Sequence, residues 1–313
     1  MFHLLSINWR RAVKNLNDIN EQLKEIVLSR AESAGDHRTS VPEMVFHRRE
    51  QTSKADNCFQ KPLASVIIQG HKRSIWGNKE YRYGQGQSIV NGVDMPSSSF
   101  VTDASTENPF LVVSLAIDNQ LVATLASEIP SPPKAVESQE AVVISPTEPD
   151  LLDAYLRLAQ LLDKPEQIPM LAPMIIREIH YRLLIGPQGV QMRMVNTLGS
   201  QSNQVAQAIA WLKDNFAKPL QVDELAQRVN MATSTFHRHF RNVTTLSPLQ
   251  YQKHLRLYEA QRLMMVEQAD ALNASLAVGY ESPTQFNREY KRLFGEPPHR
   301  DVVRRSRAAG PAG

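Results

Sequence analysis

The chain has 313 residues, 42% hydrophobic and 21% charged, with a formal net charge of +3. That length and balance allow two or more domains with their own cores and exclude a disordered chain. A single cysteine, Cys58, excludes an internal disulfide framework and a cysteine-based zinc cluster, and no apolar run approaches the ~20 residues of a bilayer span.

The opening MFHLLSINWRRAVKNLNDINEQLKEI meets charge too early for a secretory h-region, so a reducing cytoplasm is the expected location and no membrane partner is expected. Val13, Leu16, Ile19, Leu23 and Ile26 recur at spacings of three and four, which predicts a helical segment over residues 1–40. From about 46 to 118, short β-type runs alternate with turn signals: ASVIIQ, RSIW, EYRY, QSIV, SSFV and FLVVSLAI. Six strands at this spacing predict a small barrel or sandwich. A loop with four prolines is expected from Ile129 to Pro146, then two helices over about 148–186. The first carries Leu151, Leu152, Tyr155, Leu158 and Leu162; the second carries Leu171, Ile175, Ile179, Leu183 and Leu184 and stops at Gly186-Pro187. Their apolar surface suits either packing on the barrel or a helix–helix dimer contact. Residues 41–188 are thus read as one domain and the polar stretch 189–204 as a linker.

From Gln201 onward there are 15 Lys and Arg against 10 Asp and Glu, an excess of five, which leaves the first 200 residues at −2. A basic C-terminal third on a slightly acidic remainder suits a polyanion-binding module. Within it a unit repeats. Phe236 of FHRHFR matches Phe286 of FNREYK, Arg238 matches Arg288, Phe240 matches Tyr290 and Arg241 matches Lys291, each 50 positions apart. Leu225 and Ala226 face inward on a short helix, Asn230-Met231 makes a turn, and Phe236 and Phe240 mark the buried side of the next helix: a helix-turn-helix. In the second copy Leu276, Ala277, Val278 and Gly279 precede a helix started by Ser282-Pro283-Thr284-Gln285, with Phe286, Tyr290 and Leu293 inside. Between the copies, Ser247-Pro248-Leu249-Gln250 starts one helix of about 20 residues, roughly 30 Å long, close to the ~34 Å that separates successive major-groove faces of B-DNA.

His237 and His239, two apart on a helix, cannot chelate one ion together. The outward residues are Ser234, Thr235, His237, Arg238 and Arg241 in the first copy, and Thr284, Gln285, Asn287, Arg288 and Lys291 in the second. They are the candidate DNA contacts: arginine for guanine edges, the small polar residues for other base edges, Arg241 for phosphate. For any one of them the plain alternative is a solvated face.

LAQRVNMATSTFHRHFRNVTTLSPLQY followed by LAVGYESPTQFNREYKRLFGEPPHRD resembles the DNA-binding domain of AraC-type (AraC/XylS) transcriptional regulators, which places that domain at residues 205–303. PLASVIIQGHKRSIWGNKEYRYGQGQSIV is similar to the N-terminal domain of a subgroup of them. The resemblance implies an α+β chain of two domains: a cupin-like β-barrel with flanking helices, then an all-α double helix-turn-helix domain. It implies a regulator that binds promoter double-stranded DNA, often as a homodimer, with a small-molecule effector sensed by the N-terminal domain. Contact with RNA polymerase, and activation against repression, stay open. The family usually has Ser where this chain has Ala232, at the N-cap of the first reader helix, a loss of about 1 kcal/mol unless Thr233 caps instead.

A non-specific architectural DNA binder is the second reading, and a cupin-type metalloenzyme fused to a DNA-binding domain a third. His47 and His71 are the β-region histidines, far apart and without a His-x-His pair, so no catalytic residues, metal ligands or cofactors are expected. A cysteine at the place of Cys58 also resembles the subgroup; it is either a buried small hydrophobe or an effector-sensing thiol. The basic tail, residues 304–313 with Arg304, Arg305 and Arg307, is expected to fray.

Overall fold

The computed structural model describes residues 15–52, 56–129 and 140–308. Helix α1 (Leu16–Arg30) starts at Asn15, whose side chain accepts the Asn17 amide, and buries Ile19, Leu23 and Val27. Burying each of these side chains contributes roughly 1.5–3 kcal/mol. The helix stops short of the expected residue 40. Residues 35–38 instead form strand β1 (Gly35–Arg38), paired with β2 (Met44–Arg49), because the polar AESAGD run carries no apolar stripe to continue a buried helix. Val13 lies outside the described residues.

Strands β3 (Asp56–Gln60), β4 (Leu63–Gln69), β5 (His71–Trp76), β6 (Lys79–Gly84), β7 (Gln87–Asn91), β8 (Met95–Asp103) and β9 (Phe110–Ala116) follow, then helix α2 (Asn119–Glu128), capped by Asp118, and β10 (Val142–Pro146). All pairings are antiparallel. One sheet has the order β1-β2-β9-β4-β7-β10 and the other β3-β8-β5-β6, face to face as a flattened barrel. Five of these elements, β1, β2, β3, α2 and β10, lie outside the expected runs. β1 and β3 are short polar strands at sheet edges, β2 ends in the polar HRR, and α2 occupies the stretch between the expected strands and the expected loop. β10 sits inside the expected proline loop, where Val142 to Pro146 pair with β7.

Helices α3 (Pro149–Gln160) and α4 (Ile168–Ile185) pack with α1 over the outer face of the larger sheet. α4 buries Ala172, Ile179, Leu183 and Leu184 but leaves Met170, Leu171, Met174, Tyr181 and Ile185 exposed. The stretch expected as a linker is partly helical: α5 (Gly189–Asn196) precedes α6 (Gln201–Asn215). α5 is anchored by buried Met192 and Val195, and Val195 joins the barrel core to the helical part of the chain.

The remaining helices are α7 (Val222–Arg228), α8 (Thr233–Thr244), α9 (Pro248–Val266), α10 (Ala271–Ala277), α11 (Pro283–Phe294) and α12 (Pro298–Ala308). α9 is the expected spacer, closed at its start by a reciprocal capping box between Ser247 and Gln250. Residues 304–308 do not fray but extend α12. Arg304 and Arg305 donate to buried Asp301 at 2.6 and 3.0 Å, a carboxylate that also accepts from Tyr290 and Gln261. No described helix is long and apolar enough to cross a membrane.

Candidate nucleic-acid interface and barrel cavity

Helices α8 and α11 are built alike. In α8, Phe236 and Phe240 are fully buried, their rings 5.4 Å apart, and Phe240 meets Tyr251 of α9 edge-on at 5.5 Å. In α11, Phe286, Tyr290 and Phe294 take the same side, with Tyr290 packed at 4.4 Å from Phe294. Fixing that face leaves Ser234, His237, Arg238 and Arg241 exposed on α8 and Thr284, Gln285, Asn287, Arg288 and Lys291 exposed on α11, while Thr235 is half-buried. Arg238 and Arg288 are both the sixth residue of their helix. His239 turns into the core, away from His237, and burial lowers its pKa. Gln285 donates to Glu289, a partner on its own helix.

The caps differ. α8 has Ala232 as N-cap with no side-chain bond, so Thr233 does not take over the role. α11 has Ser282, whose hydroxyl accepts the Gln285 amide at 3.3 Å. The C-caps differ too: Gly295 adopts the left-handed region after α11, but after α8 a β-branched residue, Thr245, does so at φ 60°. For such a residue this is strained backbone.

The register of the second copy departs from expectation. Leu225 and Ala226 are buried in the first copy; in the second, Ala274 and Ser275 fill their places, and Leu276 and Ala277 face solvent, Leu276 being 54% exposed. One extra residue, Glu281, lies in the second turn. The constant 50-residue offset therefore holds for α8 and α11 but shifts to 49 for α7 and α10. Val278 is buried as expected. Gly279, at φ +85°, lies so near the Ala217 carbonyl that a Cβ would sit 2.0 Å from its oxygen. Spacing also gave no hint of Glu289, which is buried and bonded to Lys253 (2.9 Å), Tyr280 (2.9 Å) and Gln285 (3.2 Å).

The helical domain is docked on the barrel. Phe59 of β3 stands edge-on to both Tyr251 (5.6 Å) and Tyr258 (5.7 Å) of α9, whose hydroxyls donate to the backbone carbonyls of Asp94 and Ser97. The β5–β6 hairpin meets the end of α8: Thr245 Oγ1 accepts the Asn78 amide at 2.7 Å and donates to the Trp76 carbonyl at 3.3 Å.

Between the two sheets lies a cavity of about 340 Å³, lined from nine of the ten strands. Leu63, Ile67, Ile89, Val101, Phe110 and Val112 make its apolar wall; Lys72, Trp76, Tyr83, Cys58, Gln60 and Arg49 are among its polar groups. Burial pushes the Tyr83 hydroxyl up to about 12, against the effect of its hydrogen bond with the Ser74 hydroxyl at 2.8 Å. Cys58 Sγ is 3.2 Å from the Ser97 hydroxyl and accepts from Gln60, and burial raises its pKa. That environment favours the neutral thiol over the thiolate that electrophile chemistry needs. His47 also lines the cavity, its ring nitrogens against Asp36 (2.8 Å) and Ser114 (2.6 Å), whereas His71 points outward to Asp103. Among the described residues no three His, Cys, Asp or Glu side chains gather as a metal-binding group.

A two-sheet barrel followed by a double helix-turn-helix also matches known families. Residues 40–191 match the family model described as AraC-type transcriptional regulator N-terminus, and residues 225–302 match that of a helix-turn-helix domain. The chain belongs to the AraC-type transcriptional regulators. It is 30% identical over 131 residues to the HTH-type transcriptional regulator ArgR of Pseudomonas aeruginosa, covering 42% of this chain and 39% of ArgR. It is 28% identical over 148 residues to the transcriptional activator RhaS of Escherichia fergusonii, covering 45% and 52%. The matches thus span about half, or less, of each relative's length. The fold of this AraC-type chain is also that of ToxT from Vibrio cholerae strain SCE256, crystallised with an unsaturated fatty acid. The TM-score is 0.53 over 83% of this chain and 94% of that one, at 10% identity.

Proposed function

We propose that this AraC-type chain is a sequence-specific regulator of transcription and not an enzyme. In this reading α8 and α11 read promoter double-stranded DNA and the barrel cavity binds a small molecule that controls them. The reading divides the chain into a sensor at 41–188 and a reader at 205–303, and puts the protein in the cytoplasm with the nucleoid. The observation that carries it is the repeat: two helices with the same aromatic packing present an arginine at the same helical position, joined through a capped spacer of 19 residues, about 28 Å. That length suits adjacent turns of a duplex. The relatives, named as transcriptional regulators, support the DNA partner, and the ligand in ToxT, named as a fatty acid, supports an effector in the barrel. The exposed stripe Met170, Met174, Tyr181 and Ile185 on α4 favours pairing with a second copy.

The test is selection of bound sites from genomic DNA, then affinity for the recovered site against random duplex at one salt concentration. A specific regulator should prefer its site by roughly 10³-fold or more. Arg238→Ala and Arg288→Ala should each cost about 1–3 kcal/mol on the recovered site and little on random duplex. Equal affinity for both duplexes would replace this reading with a backbone-only architectural binder. The stoichiometry on the recovered site reports the pairing of copies.

A further inference from the structure

We infer that the barrel cavity takes a small organic anion, a monocarboxylate with a short apolar body, held by Lys72 and by the indole N–H of Trp76. This rests on the reading of the barrel as the sensor and names the chemistry of what it senses.

Lys72 and Trp76 lie two pleats apart on β5, on its inward side. The Lys72 ammonium sits 5.9 Å from the centre of the Phe110 ring, and among the described residues no carboxylate comes within 4 Å of it. The other strong cation of the cavity is already engaged: Arg49 donates to Asp36 at 2.7 Å and to the Gly35 and Arg48 carbonyls. The two acidic lining residues, Asp36 and Asp56, are more than half exposed, and Asp56 faces Arg305 at 3.9 Å. The interior charge of Lys72 is thus left for something else to balance, and a buried unpaired charge is costly. Burial accordingly lowers its pKa, with Cys58 and Asp56 pulling the other way.

Trp76 supplies the second observation. Its indole nitrogen is buried and, among the described residues, has no acceptor at full hydrogen-bonding geometry: it is directed at the Tyr83 hydroxyl, which is itself bonded to Ser74 at 2.8 Å. A buried donor without an acceptor is uncommon in folded proteins. The ladder also slips beside Lys72: His71 pairs with Asp103 but Lys72 with Val101, so Thr102 is an extra residue in β8. Bulges of this kind concentrate next to binding sites and aim side chains. One cation and one neutral donor on the inward side of a single strand suit an anionic head group, and the facing wall of Ile67, Ile89 and Val112, with Val101 beside Lys72, suits an apolar tail. At 340 Å³ the space equals about eleven liquid-water volumes of ~30 Å³ each, so the ligand has on the order of ten heavy atoms.

The experiment titrates the full-length protein with hexanoate, hexanamide and hexylamine, read by tryptophan fluorescence and thermal shift, with affinity for the recovered DNA site measured alongside. Hexanoate should bind about tenfold or more tighter than hexanamide, with hexylamine weakest. Lys72→Met should bring hexanoate down to the level of hexanamide and leave hexanamide unchanged, while Lys72→Arg keeps the preference. Binding of hexanamide or hexylamine as tight as hexanoate, no effect of Lys72→Met, or no binding of any of the three would each overturn the proposal. If specific DNA binding persists in those cases, only the anion class falls; its absence in the unsubstituted protein would remove the regulator reading itself.

Discussion

Ala232 is a single side chain whose effect can be read without reference to the rest of the fold. It has the extended backbone of an N-cap but no oxygen to accept an amide, whereas Ser282 does this for the matching helix. Ala232→Ser should raise stability by about 1 kcal/mol and slow hydrogen exchange at the amides of the first turn of α8; Ser282→Ala should cost a similar amount at α11. Unchanged exchange at α8 after Ala232→Ser would mean that water already satisfies those amides. The cap defect was legible in the sequence because a cap is a local matter of one oxygen and two amides. The outward set on α8 and α11, half-buried Thr235 apart, was legible too, since two aromatics four apart fix which side of a helix is inside. Lys72 and Trp76 were not, because nothing local marks a lysine in an ordinary strand as the one that faces a cavity.

Helix α9 shows how one element can serve four neighbours. Its buried residues Tyr251, Leu255, Ala260 and Met264 do not form a single stripe: Tyr251 faces α8, Tyr258 faces both Phe59 of β3 and Phe294 of α11, and Gln261 reaches Asp301. His254 lies in this crowded stretch, stacked against Tyr258, with its Nδ1 lacking a partner. Burial, with a smaller push from Arg292, lowers its pKa to about 4. The neutral ring is the form the fold holds, while the unfolded chain takes up a proton near pH 6.5. Stability is therefore intact above that value and is lost as pH falls from about 6.5 toward 4, by on the order of 3 kcal/mol. Replacement by a ring that cannot titrate, His254→Phe, should flatten this part of the curve, measured by urea unfolding across that range. A variant with the same acid sensitivity as the unsubstituted protein would assign the effect to other groups. The tail of α12 is a matching case in which the pattern misled. A run of arginines reads as a solvated end, but buried Asp301 draws Arg304 and Arg305 back onto the helix.

The docking of reader on barrel ties the cavity to α8. Trp76 lines the cavity with its ring and holds Thr245 with its carbonyl, and Thr245 is the strained cap that ends the first reader helix. The fit depends on Gly77. A Cβ there would lie 2.1 Å from Thr245 Oγ1 and 2.4 Å from the Thr244 carbonyl oxygen. Gly86 is a matched control, with a similar positive φ but nothing within 4 Å. Both Gly77→Ala and Gly86→Ala should cost roughly 1 kcal/mol of backbone strain, but only Gly77→Ala should also separate the hairpin from α8. Hydrogen exchange at Asn78, whose amide is bonded to Thr245, is the readout. Equal protection of Asn78 in the two variants would show that the hairpin yields without undocking.

The amino-acid sequence by itself determined the helices of the C-terminal third. Its helices are amphipathic, capped and repeated, so each turn of chain carries its own evidence of which face is buried, and the 50-residue offset pairs the copies. It also determined strands β4 to β9 of the barrel, where apolar runs lie between turns. Only the tertiary structure decided β1 and β2, which pair with each other and then with β9, and the edge strands β3 and β10, which pair with the distant β8 and β7. The one-residue shift in the second copy, the seat of α9 on β3 and β8, and the placing of Lys72 and Trp76 in one cavity were decided in the same way. Each depends on contacts between segments distant in sequence, and periodicity carries information only about neighbours on the same element.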